Sequence, residues 1–97
     1  MNQKNKISVF YFTADWCQPC KKVRPIVEEL SKDMFPNTFQ IIDAEIEMAL
    51  SKKFEIKSIP TFILIKNGEE INRITGLQTK EKLIEFIDNK KDIKKNV

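Results

Sequence analysis

Blocks of apolar residues with different periods follow one another along the chain, and each period assigns its block an element. Ile7-Ser8-Val9-Phe10-Tyr11-Phe12 is almost continuously apolar and aromatic, the pattern of a central strand covered on both faces, as in a parallel sheet. Further on the period changes: Val23, Ile26, Val27, Leu30 and Met34 recur at helical spacing, with Lys22, Glu28, Glu29 and Lys32 mostly off that face. This predicts a helix from about Cys17 to Met34. Pro25 falls inside it, where a proline removes a backbone donor and crowds the carbonyl one turn earlier, so a kink is expected. The alternative is a helix that begins at Pro25 and leaves the cysteines in a loop; apolar spacing alone allows both.

Pro36-Asn37 marks a turn, and Thr38 to Asp43 reads as a second strand. Ile46, Ala49, Leu50 and Phe54 then return to three- and four-residue spacing, predicting a second helix that ends before Lys57. Strand, helix, strand implies a right-handed crossover and a parallel pair. Ile59-Pro60-Thr61 leads into a third strand, Phe62 to Ile65, and Asn67-Gly68 is a hairpin signal before Ile71 to Ile74. The last pair is therefore antiparallel. Gly76 ends that strand, Thr79 can cap a helix, and Leu83, Ile84, Phe86 and Ile87 supply its apolar face. The fold class that results is α/β, a four-strand mixed sheet flanked by three helices.

Size and charge narrow the picture. With 97 residues, 41% hydrophobic and 32% charged, the chain has the composition of a soluble globular protein and forms one domain over 1–97, its ends 1–6 and 90–97 expected to fray. A net charge of +3, with acids interspersed among the bases, does not argue for a nucleic-acid surface. The lysine-rich stretch from Asn89 to Val97 reads as a solvated tail rather than a basic arm. No stretch is long enough for a signal h-region or a membrane span, so a cytoplasmic location without membrane attachment is expected.

The chemistry is concentrated in Trp16-Cys17-Gln18-Pro19-Cys20, which holds both cysteines and the sole tryptophan. Two cysteines at this spacing on the first turn of a helix can close a small, reducible disulfide. Cys17, placed at the helix N-terminus, has unpaired N–H groups and the helix dipole to stabilise a thiolate, which makes it the nucleophile; Lys21 and Lys22 play at most a minor part. Two alternatives stand beside this reading. Zinc needs about four protein ligands, and without histidine or further cysteines a second chain would have to supply the rest. A purely structural disulfide over so short a loop would stabilise the fold only weakly. No metal or cofactor is assigned.

Together these motifs give the chain a resemblance to the thioredoxin family. Trp16-Cys17-Gln18-Pro19-Cys20 resembles its Trp-Cys-Gly-Pro-Cys site, Ile59-Pro60-Thr61 its cis-proline loop and Lys66-Asn67-Gly68-Glu69 its hairpin, while Pro25 and Gly76 stand at the family's spacings. The resemblance runs from Ile7 to about Asn89 and implies a thiol–disulfide oxidoreductase acting on protein disulfides. It implies that Cys17 attacks and Cys20 resolves, that the Ile59–Pro60 bond is cis and packs against the dithiol, and that Trp16, Gln18, Pro19, Ile59, Pro60, Thr75 and Gly76 form the substrate groove. The implied electron donor is an NADPH-dependent thioredoxin reductase. A glutathione-coupled, glutaredoxin-like reductase and a non-catalytic binding subunit are the rival functions.

Three departures from the family pattern carry expectations of their own. The buried aspartate that usually stands six positions before the first cysteine is Tyr11 here, a poor base with a pKa of about 10, so slower resolution is expected. Gln18 replaces glycine, whereas Pro19 matches reducing members of the family. Only six residues precede Ile7, so the family's first strand and helix are expected to be absent and Phe39 to Asp43 to become a sheet edge open to pairing. A monomer is nevertheless expected over a dimer.

Overall fold

A computed structural model of the protein describes residues 7–88, which fold in the order β1 (Ile7–Thr13), α1 (Gln18–Asp33), β2 (Phe39–Asp43), α2 (Met48–Lys53), β3 (Thr61–Lys66), β4 (Glu69–Thr75) and α3 (Lys80–Asp88). The expected frayed ends and the lysine-rich tail lie outside the described residues.

The four strands form one sheet in the order β2-β1-β3-β4. β1 pairs parallel with β2, Tyr11 opposite Ile41, and antiparallel with β3, where Tyr11 stands opposite Phe62. The expected parallel pair and antiparallel hairpin are both present. The central position of β1 explains its continuous apolar run, because both of its faces are covered. Val9 and Tyr11 point to a core built with Val23, Val27 and Leu30 of α1 and Leu83, Phe86 and Ile87 of α3. Phe12 points the other way, with Ile42, Ile63 and Ile65, onto Leu50 and Phe54. Helices α1 and α3 thus cover one face and α2 the other.

The hairpin turn follows from its sequence: Asn67 (φ 53°) and Gly68 (φ 86°) both adopt positive φ, the conformation a two-residue turn of this twist requires. At the start of α3 the Thr79 hydroxyl accepts the Lys82 N–H at 3.1 Å, the cap expected from the sequence. Helix α1 begins at Gln18 and runs through Pro25, so a helix starting at Pro25 is ruled out.

Three apolar positions were misplaced by periodicity, one of them Ala49, which lies on α2 but is exposed. Met34 is the C-cap of α1 and is exposed, not part of its buried face. Ile46, expected on α2, precedes the helix and is 76% exposed. The reason is local: Asp43 Oδ1 accepts the N–H groups of Glu45 at 2.9 Å and Ile46 at 3.1 Å, holding that segment in a side-chain-mediated turn and delaying the helix to Met48. A six-residue helix is too short to persist alone. It is held by the Ser51 hydroxyl bonded to the Ala44 carbonyl at 2.8 Å and by Leu50 and Phe54 against the sheet. No helix among the described residues is long and apolar enough to cross a membrane.

Candidate active site

The C-terminal end of β1 delivers the chain to a tight turn at Ala14-Asp15-Trp16, where the Cys17 N–H donates to the Ala14 carbonyl at 3.2 Å. Cys17 is the N-cap of α1, in extended conformation, and its Sγ accepts the Cys20 N–H at 3.2 Å. A sulfur therefore fills the role that a hydroxyl or carboxylate oxygen commonly has at a helix start. It faces one of the N–H groups that would stabilise negative charge on it. Pro19 suits the first turn because its missing donor would have no partner there.

Cys17 and Cys20 are joined as a disulfide with their Cα atoms 5.2 Å apart, and both are buried, at 3% and 2% exposure. They pack with Ala14 and Ile59 in a small apolar cluster. Ile59 arrives from the loop before β3; its carbonyl oxygen lies 3.8 Å from Cys17 Sγ, and the Ile59–Pro60 peptide bond is cis. Pro60 is buried, and its carbonyl accepts the Gly76 N–H at 2.8 Å, tying the end of β4 to this loop. Thr75, opposite Thr61 in the sheet, is exposed beside it. Gln18 and Pro19 are exposed on the first turn of α1.

The residues assigned to the site from the sequence, 16–20, 59–60 and 75–76, thus lie at one end of the sheet, with Ile59 in direct contact with the cysteines. Lys21 and Lys22 are exposed. Trp16 is 61% exposed, and its indole Nε1–H donates to Glu45 Oε2 at 2.8 Å. Glu45, in the turn after β2, was not identified by sequence reasoning. Beyond it, an open apolar groove of about 540 Å³ lies between that turn and the segment after α2, lined in part by Ala44, Met48 and Ile56.

Tyr11 lies beneath the cysteines, fully buried and stacked on Phe62 with ring centroids 4.8 Å apart. Its hydroxyl donates to the Cys20 carbonyl at 3.0 Å. Burial pushes the phenol above its ordinary 10.0, so it is a core residue with a satisfied hydroxyl rather than a base at neutral pH.

The family model described as Thioredoxin matches residues 1–89. The chain belongs to the thioredoxin family. It is 36% identical over 89 residues to the thioredoxin of Staphylococcus haemolyticus, covering 90% of this chain and 85% of that protein. It is 41% identical over 80 residues to that of Rickettsia bellii, covering 80% and 75% respectively. Among solved structures, Fasciola hepatica thioredoxin superposes with a TM-score of 0.83 at 34% identity, covering 92% of this chain and 85% of that one. Reduced Schistosoma mansoni thioredoxin gives 0.80 at 36% identity, covering 89% and 80%. Family membership and the paired cysteines make this chain a thiol–disulfide oxidoreductase, a protein-disulfide reductase. Disulfide-bearing proteins and a thioredoxin reductase are the usual partners of such a protein.

Proposed function

We propose that Cys17 is the attacking thiol and Cys20 the resolving one, in a cycle that reduces disulfides of folded or partly folded proteins. The observation that carries this assignment is the placement of Cys17 Sγ at the N-cap of α1, where it accepts the Cys20 N–H. A thiolate at that atom gains from the N–H groups of the first turn, whereas Cys20, one turn further in, does not. Cys17 thiolate attacks a substrate disulfide and the distal substrate sulfur leaves. Cys20 thiolate then attacks Cys17 Sγ, the second substrate thiol leaves, and the protein is left with the Cys17–Cys20 disulfide. Because Cys20 is already beside Cys17, the second step is effectively unimolecular and outruns any free thiol in solution.

Trp16, Gln18, Pro19, Ile59, Pro60, Thr75 and Gly76 form the surface that receives the substrate. The exposed Trp16 and the meeting of the Ile59–Pro60 loop with Gly76 support this. A short extended segment of substrate would lie along Ile59 and pair through its backbone, which suits many sequences. NADPH-dependent thioredoxin reductase recharges the dithiol, and the protein acts as a monomer in the cytoplasm.

The test is insulin reduction with NADPH and thioredoxin reductase as donor, run beside glutathione with glutathione reductase. Turnover only in the first supports the assignment; turnover only with glutathione transfers the protein to the glutaredoxin-like class. Cys20→Ser should accumulate a mixed disulfide through Cys17, and Cys17→Ser should form none. Partner binding that survives replacement of both cysteines, without turnover in the native protein, would mean a binding subunit.

A further inference from the structure

We propose that the proton leaving the Cys20 thiol during resolution travels through a small polar cavity to the carboxylate of Asp15. This rests on the assignment of Cys20 as the resolving thiol.

Cys20 must lose a proton before it attacks, yet it is 2% exposed, and Ala14, Cys17 and Ile59 pack it with apolar surface. Tyr11, the titratable group beneath it on β1, does not take that proton: its hydroxyl is already donating to the Cys20 carbonyl at 3.0 Å. One side of Cys20 is different. A cavity of about 70 Å³ is lined by Thr13, Ala14, Asp15, Cys20, Lys21 and Arg24. That volume holds about two waters at roughly 30 Å³ each, and its polar walls give them partners.

Of the lining side chains, only Asp15 carries a carboxylate, an acceptor for the proton. Asp15 belongs to the turn after β1 and is exposed, so it can pass the proton on to bulk water. Lys21 and Arg24 are the charged groups that face the cavity from α1, and Arg24 is also 3.5 Å from Glu28. Their charge favours the thiolate once the proton has gone.

In the step, Cys20–SH gives its proton through cavity water to Asp15. The thiolate electron pair forms the Cys17–Cys20 bond, and the Cys17–substrate sulfur bond breaks with its pair on the substrate sulfur, which is protonated from solvent. The protein dithiol is oxidised and the substrate disulfide reduced.

Stopped-flow reaction of the reduced protein with 5,5′-dithiobis(2-nitrobenzoate) separates the two steps. A first release of thionitrobenzoate reports attack by Cys17, and a second reports resolution by Cys20. Asp15→Asn is expected to slow the second phase roughly 10- to 100-fold near neutral pH, the lower range for general-base assistance. The first phase should stay within about twofold, and the deficit should close as pH nears the ordinary thiol value of about 8.5. Asp15→Glu should restore the second phase. Two results overturn the proposal: a native second phase in Asp15→Asn across the pH range, or Asp15→Glu as slow as Asp15→Asn. Absence of both phases in the native protein would instead remove the exchange reaction on which it rests.

Discussion

Tyr11 and Cys20 are joined by a buried hydrogen bond, the phenol hydroxyl donating to the cysteine carbonyl at 3.0 Å. This ties the central strand to the helix that carries the dithiol, on the core side of the active site. Tyr11→Phe keeps the stack on Phe62 and removes only the hydroxyl. It should cost about 1 kcal/mol, the usual net worth of one such bond. In a domain of this size that lowers Tm by about 4–8 °C. Insulin reduction at neutral pH should stay within about twofold of native. A tenfold loss of activity in a folded variant would give Tyr11 a chemical role that its hydrogen bond does not suggest.

The same residue predicts a pH dependence of stability. Burial holds the Tyr11 phenol above 10.0, with Thr13 and the positive charge of Arg24 only partly offsetting it. The folded chain therefore retains this proton at pH values where the unfolded chain has released it. Its contribution is whole below the unfolded value of 10.0 and is lost as pH rises through the folded one. The stability advantage of native protein over Tyr11→Phe should be constant from about pH 7 to 9 and shrink above about pH 10. Urea titrations of both proteins over that range check this, because lysine ionisation affects the two alike. A gap that stays constant to high pH would mean that the phenol titrates equally in both states.

Gly76 joins β4 to the Ile59–Pro60 loop. Its φ is +89°, a region that side-chain-bearing residues adopt only with strain, and its N–H donates to the Pro60 carbonyl at 2.8 Å. A Cβ added there would meet nothing within 4 Å, so the cost of Gly76→Ala lies in the backbone alone. About 1–2 kcal/mol of stability should be lost. Relaxing that strain shifts the loop, so turnover of insulin should fall several-fold while reaction with a small disulfide reagent changes little. Equal loss on both would place the damage at the cysteines instead of the substrate surface.

How far the fold could be read in advance depended on the range of the interactions involved. β1 and β3 were legible because a strand covered on both faces must be apolar throughout, and the Asn67-Gly68 turn because its backbone demands those residues. The first helix was legible despite Pro25, since Val23, Val27 and Leu30 keep a buried stripe through it. The start of α2 was misjudged because Ile46 fits a helical period, yet Asp43 captures its N–H. Period counts side chains and is blind to such competition for the backbone. The cysteines announced themselves by spacing. Glu45 did not, for its bond to Trp16 spans 29 positions and nothing local to Glu45 distinguishes it from other surface acids.

That bond carries the last prediction. Trp16 is 61% exposed beside the dithiol, and the 2.8 Å bond from its Nε1–H to Glu45 Oε2 orients its indole. An exposed aromatic ring held in one orientation presents a ready apolar face to substrate; a rotating one must be ordered on each encounter, which costs about 0.5–1.5 kcal/mol. Glu45→Ala should therefore raise KM for insulin by about two- to tenfold and leave kcat nearly unchanged. Because both groups lie at the surface, unfolding should shift little. Trp16 emission reports the change directly: losing a charged acceptor at the indole N–H should alter the spectrum of the folded protein, and Glu45→Gln, which keeps an acceptor, should alter it less. An unchanged KM accompanied by a shifted spectrum would show that ordering of Trp16 does not limit substrate capture.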